Sequence, residues 1–211
     1  NDGDLDLATG NGFGGSSPTP NRFYVNQGDG TFVDMAEAYG MNSTLMCRSL
    51  HAADYDNDGF TDLYVVNINN VNHFYKNDGG TGFTNVYQQS GTLDTGVGMG
   101  SIFFDYDNDG DQDLYLTHDA NQTNKLYRNQ GDGSFINLAF FAGLNYQGNC
   151  MGVDVADINH DGWLDLYITD LYPSAMFLNE CDGSFEDISV PSGTSDSGTV
   201  SYTHLRAHET G

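Results

Sequence analysis

Asp54-Tyr55-Asp56-Asn57-Asp58-Gly59-Phe60-Thr61-Asp62-Leu63 sets carboxylates at the first, third, fifth and ninth residues of one segment, with glycine sixth. The pattern returns as Asp105, Asp107, Asp109 and Asp113 around Gly110, and as Asp157, Asn159, Asp161 and Asp165 around Gly162. The chain opens on the back half of another copy, in which Asp2 and Asp6 hold positions 5 and 9. Such a segment is suited to binding a hard cation: Ca2+ takes about 6–8 oxygen ligands at roughly 2.3–2.6 Å. Alternate residues of a tightly curled loop point inward, so positions 1, 3 and 5 converge, and glycine at 6 permits the sharp turn. The carbonyl of position 7 (Phe60, Asp111, Trp163, or Asp4 in the opening copy) faces the same centre, and position 9 closes the cage. This reading places about one Ca2+ in each loop. Mg2+ demands a stricter octahedron and suits the loops less well. An EF-hand would need Glu at position 12, where Val65, Leu116 and Ile168 stand instead. One Asp-Gly cluster alone would read as a turn. Copies in register, each gathering carboxylates that repel without a cation, read as metal loops.

The loops need elements to hold them. Gly3, Gly59, Gly110 and Gly162 are spaced by 56, 51 and 52 residues, and a second motif keeps the same period. Asn21-Arg22-Phe23-Tyr24-Val25-Asn26-Gln27-Gly28-Asp29-Gly30-Thr31-Phe32 matches Asn124 to Phe135 closely, and Asn72 to Phe83 and Ser174 to Phe185 more loosely. Each loop follows a short run of small and apolar residues and precedes Leu-Tyr-Val, Leu-Tyr-Leu or Leu-Tyr-Ile, which are strand-forming sequences. The Asn-x-Phe/Leu-Tyr-x-Asn segment predicts a third strand. A Gly-Asp-Gly hairpin turn leads to a fourth, beginning at Phe32, Phe83, Phe135 or Phe185. Met35 to Tyr39 is long enough for one helical turn between units. Four strands in about fifty residues is the size of a β-propeller blade; the coils of a parallel β-helix are shorter.

The expected fold is therefore all-β, a partial propeller of four-stranded antiparallel blades, about four of a ring of seven or eight. Residues 1–45 form a blade lacking its first strand, and 46–97, 98–148 and 149–198 form fuller ones. Further blades of the same chain would be its nearest partners, and the opening within a motif reads as a missing N-terminus. Residues 199–211 break the period. Val200 to Thr210 resembles a translated sequencing-adapter read-through, so His204 and His208 carry no functional inference.

Composition narrows the function. The 211 residues carry 30 Asp+Glu against 6 Lys+Arg, a net charge of −24. Nucleic acid and anionic membrane surfaces are excluded as default partners, since both need clustered basic residues. No apolar run approaches the roughly 20 residues of a membrane span. Glu occurs only at positions 37, 180, 186 and 209, so the acidity belongs to Asp-rich turns and cation loops rather than to a general solvated surface. Cys47, Cys150 and Cys181 show no metal spacing and cannot all pair with one another.

Asp-x-Asp-x-Asp-Gly-x-x-Asp-Leu within a fifty-residue blade resembles the FG-GAP/VCBS repeat family, known from the propellers of integrin α chains. The Asn-x-Phe/Leu-Tyr-x-Asn-x-Gly-Asp-Gly-Thr/Ser-Phe half is most similar to the ASPIC/UnbV-associated, cartilage-acidic-protein-like branch. The resemblance covers about residues 1–190 and implies calcium in the hairpin loops, a seven- or eight-bladed propeller and an extracellular setting. It implies no single activity. The first reading is thus a secreted or cell-surface calcium-binding module, periplasmic or on the outer surface in a bacterium. Calcium would be structural there, and the protein or glycan ligand would meet the variable loops Gly10–Pro20, Asn67–Asn72, His118–Thr123 and Asp170–Ser174. The alternative is a propeller belonging to a polysaccharide-lyase-like enzyme, with His51, His73, His118 or Lys125 as base candidates. None of these sits in a catalytic motif, so the chain reads as non-enzymatic.

Overall fold

The computed structural model describes residues 3–12 and 19–195. The expected non-native tail, 199–211, and Asp2 lie outside these. Apolar alternation and glycine-bearing turns produce antiparallel hairpins throughout. The first sheet has three strands, β1 (Leu7–Thr9), β2 (Arg22–Asn26) and β3 (Phe32–Asp34), in that order. The second has β4 (Cys47–Ala53), β5 (Asp62–Asn67), β6 (His73–Asn77) and β7 (Phe83–Asn85). The next two strands are β8 (Gly98–Phe104) and β9 (Asp113–His118), followed by the short β10 (Gln122–Thr123). The third sheet joins β8 and β9 to β11 (Lys125–Asn129) and β12 (Phe135–Asn137). After β13 (Gln147–Gly148), the fourth sheet comprises β14 (Cys150–Ala156), β15 (Asp165–Asp170), β16 (Ala175–Asn179) and β17 (Phe185–Asp187). β10 pairs with β13 as a small two-stranded link between the third and fourth sheets.

The strands fall where the repeat predicts them, and the architecture is the expected all-β partial propeller. Register repeats with the motif. Ala53 pairs with Asp62, Phe104 with Asp113 and Ala156 with Asp165, so each acidic loop closes between equivalent residues. Each first strand also carries an irregularity near its start, between Cys47 and Ser49, Gly98 and Gly100, and Cys150 and Gly152. The turn at Met35–Tyr39 forms as one helical turn, with the Tyr39 N–H donating to the Met35 carbonyl at 2.8 Å; Ser90 to Val86 and Ala142 to Leu138 repeat it.

The core lies between sheets. Phe23, Met41, Leu63, Val65 and Tyr75 fill the first junction, and Tyr64, Phe74, Leu114, Leu116 and Phe135 the second. Phe104, Tyr115, Leu126, Leu166, Ile168 and Phe177 fill the third. β5 and β9 are buried along their whole length because both of their faces are covered. The first strands β4, β8 and β14 lie successively beside one another, as blades do around an axis.

Candidate metal centres

Each acidic loop begins at the end of a first strand and is wound by its own side chains. Asp54 accepts from the amides of Asp58 at 3.0 Å and Gly59 at 2.9 Å, while Asp58 accepts from Phe60 at 2.9 Å. Asp105 and Asp109 repeat these bonds to Asp109, Gly110 and Asp111, and Asp157 and Asp161 to Asp161, Gly162 and Trp163. The winding needs left-handed backbone at position 6, where Gly110 has φ 94°. Asn57, Asn108 and His160 adopt the same region at position 4.

The result is convergence of positions 1, 3 and 5. Carboxylate oxygens of Asp54, Asp56 and Asp58 lie within 4.8 Å of one another, and those of Asp105, Asp107 and Asp109 do likewise. Asp56 Oδ1 and Asp107 Oδ1 are buried without a hydrogen-bond partner. A buried carboxylate oxygen with nothing to accept is costly unless a cation fills the place. Burial, then the neighbouring charge of Asp109, pushes the Asp107 carboxyl above the usual range. In the last complete loop Asn159 replaces one carboxylate, and its amide donates to Asp161 Oδ2 at 2.7 Å.

Position 9 sits differently. Asp62, Asp113 and Asp165 are fully buried at the first residue of their strands, with both oxygens engaged by backbone amides. Asp62 accepts from Tyr55 at 3.2 Å and Asn77 at 2.7 Å; Asp113 accepts from Tyr106 and Asn129, and Asp165 from Ile158 and Asn179. Asp6 likewise accepts from Asn26 at 2.9 Å. The asparagine answers in every copy. Asn26, Asn77, Asn129 and Asn179 donate their side-chain amides to the carbonyls of Leu5, Thr61, Gln112 and Leu164. This Asp–Asn clamp joins the loop to the third strand and explains the closing Asn of the second motif. Burial pushes the carboxyls of Asp62 and Asp113 up to about 7 and raises Asp165 as well.

Two basic side chains complete the first two full loops. Lys76 Nζ donates to Asp56 Oδ2 and to Asp58 Oδ2, the latter at 2.9 Å. Arg128 places Nε 2.9 Å from Asp107 Oδ2 and its NH2 group 3.4 Å from Asp109 Oδ2. Neither was visible in the motif comparison, because Val25 and Leu178 hold the equivalent places in the other copies. Of the remaining position-7 residues, Asp111 accepts from Asn57 of the preceding loop at 2.9 Å. The Gly-Asp-Gly turns are hairpin turns: Asp29, Asp132 and Asp182 each accept from the backbone and hydroxyl of the Thr or Ser two residues on. Their acidity increases chiefly through the hydroxyl bond. Cys181 replaces the usual glycine there and keeps its φ at 60°. All three cysteines are free.

The candidate histidine bases of the alternative reading are held by local partners or by partial or full burial. His118 is buried with Nε2 3.0 Å from Asp94 Oδ1, and His73 Nδ1 lies 2.8 Å from the Tyr75 hydroxyl. Burial lowers the basicity of His51 and His73.

The repeat of this chain is that of a known family. The profile of the FG-GAP-like repeat matches residues 1–65, 54–116 and 105–168. Over 161 residues the chain is 28% identical to cartilage acidic protein 1 of Homo sapiens, covering 71% of this chain and 24% of that protein. The Mus musculus protein of the same name is also 28% identical over 161 residues, with 71% and 25% covered. The chain thus spans about a quarter of the length of these relatives. Among solved structures, an Agrocybe aegerita lectin recognising non-reducing terminal N-acetylglucosamine aligns with a TM-score of 0.51 and 19% identity. That alignment covers 86% of this chain and 51% of the lectin, a likeness of fold. With overlapping repeat matches running from residue 1 to residue 168, the chain belongs to the FG-GAP-like repeat family.

Proposed function

We propose that the chain is a calcium-binding, non-catalytic propeller module of an extracellular or cell-surface protein. Calcium is structural: it holds the acidic loops and thereby the ends of the first and second strands. The observation that carries this reading is the convergence of three carboxylates in each of two loops around a buried, partnerless oxygen. Asp54, Asp56 and Asp58 are the ligands of one centre, and Asp105, Asp107 and Asp109 those of the next. Asp157, Asn159 and Asp161 form a third, less acidic one. The position-7 carbonyls complete each set, and the position-9 carboxylates brace it from the strand. The extracellular setting is supported by relatives named for cartilage. In such a setting calcium is abundant enough to fill even weak loops.

Ligand binding belongs on the other end of the blades. Antiparallel order puts the acidic loops and the Gly-Asp-Gly turns together, and sends the connections 68–72, 119–124 and 171–174 to the opposite end. These connections differ most between repeats, and Tyr172 is 65% exposed on one of them. Variable loops on a rigid scaffold are where recognition concentrates. The lectin of similar fold makes glycans the first ligands to screen, with proteins second.

Calcium titration of the chelator-stripped protein by calorimetry tests the reading. Saturable binding that Asp56→Asn/Asp107→Asn weakens supports it. Absence of binding at millimolar calcium contradicts it.

A further inference from the structure

Lys76, Arg128 and Leu178 occupy one place, the fourth residue of the third strand, and what stands there follows what stands at loop position 3. Asp56 is met by Lys76 and Asp107 by Arg128, whereas Asn159 is accompanied by Leu178. The same oxygen is served in all three loops. Oδ2 of the position-5 aspartate receives Lys76 Nζ at 2.9 Å, the Arg128 NH2 group at 3.4 Å, or the Asn159 amide at 2.7 Å. Both basic side chains reach only the Oδ2 atoms, and Oδ1 of Asp56 and of Asp107 stays buried and uncommitted.

We propose that this strand position sets the charge of its loop, so that each complete loop offers a divalent ion two negative charges. Three carboxylates and one cation leave two charges in the Asp54 and Asp105 loops. Two carboxylates, an amide and a leucine leave the same two in the Asp157 loop. The ninth-position carboxylate is common to all three and is engaged by backbone amides, and the extra carboxylate of Asp111 is taken by Asn57. Lys76 and Arg128 are thus positioning and selectivity residues. They offset the third aspartate through its Oδ2 and leave its Oδ1 uncommitted, which disfavours ions of higher charge and lets the loops fold before metal arrives. This rests on the reading of the loops as cation sites.

The test uses the full chain, stripped of metal, with Ca2+ and Tb3+ as probes. In Lys76→Met/Arg128→Met, two loops rise to three negative charges. A trivalent ion gains half as much again as a divalent one, so the preference for Tb3+ over Ca2+ should rise about three- to five-fold. Adding Asp56→Asn and Asp107→Asn recreates the Asn159–Leu178 arrangement and should restore the original preference. Lys76→Arg/Arg128→Lys keeps the charge and should leave the preference unchanged. In chelator, the quadruple variant should melt above the sum of its parts, because each half leaves the other's charge unpaired. Intact metal binding with an unchanged preference in Lys76→Met/Arg128→Met overturns the charge matching alone, as does strict additivity in chelator. A wild-type chain that binds neither ion overturns the cation-site reading, and this proposal with it.

Discussion

Asp56 and Asp62 are positions 3 and 9 of one motif but two kinds of group in the fold. Asp56 leaves one buried oxygen open, whereas Asp62 spends both on backbone amides. Asp62→Ala would leave two buried donors unsatisfied, a loss of about 2–4 kcal/mol. Urea unfolding in chelator should show that loss in full, since it does not depend on metal. The same carboxylate gives the chelated protein an unusual pH response. Its folded pKa, about 7, stands above the unfolded value of 3.8, so between these the native state holds the extra proton. Stability contributed by Asp62 is therefore present at low pH and lost as pH rises towards 7. Asp56 and Asp58 face it and push in the same direction. Half-buried His51 and His73 have lowered pKa values and oppose the trend below 6.5. The comparison that isolates Asp62 is wild type against Asp62→Asn between pH 5 and pH 7. The variant should lose less stability across that interval. Motif spacing showed which residues were acidic at each loop position. It could not separate a carboxylate aimed at the centre from one turned back to the strand, because both roles require the same side chain.

At the scale of the element, the acidic loops are tied across blades as well as within them. Asn129 donates to the Tyr55 carbonyl of the preceding blade at 2.7 Å and Asn179 to that of Tyr106 at 2.9 Å. Asn129→Ala removes this bond and its partner to Gln112, and should cost about 1–3 kcal/mol. Backbone bonds from Phe135 to Ser90 and from Phe185 to Ala142 add further ties. The close approach there requires Gly91, where a Cβ would lie 2.5 Å from the Phe135 carbonyl oxygen. Gly110 has a similar left-handed backbone but open space around it. Gly91→Ala should therefore lower the melting temperature well beyond Gly110→Ala, whose cost is backbone strain of about 1–2 kcal/mol. Strand order and register were legible because two motifs kept one period, and each motif began or ended a strand. The β10–β13 link was not, since Gln122–Thr123 and Gln147–Gly148 belong to neither repeated motif and carry no strand-forming pattern. Lys76 and Arg128 were not legible for the opposite reason: their position varies among repeats, with Val25 and Leu178 in the other copies.

For the whole molecule, the governing fact is a net charge of −24 folded into stacked sheets. Thirteen carboxylates occupy positions 1, 3, 5 and 9 of the acidic motif, and among the described residues a single cation in each of the first two full loops offsets them. Without metal the chain should gain stability from salt, since screening relieves repulsion among exposed aspartates. The apolar clusters between sheets are independent of metal, so the chelated chain should keep its strand content while losing resistance to heat. Thermal unfolding in calcium, in magnesium and in chelator at one ionic strength measures this most directly. Calcium should raise the melting temperature by several degrees or more, magnesium by far less. Equal melting temperatures in all three solutions would contradict calcium-held loops and reduce the aspartate motif to a set of turns.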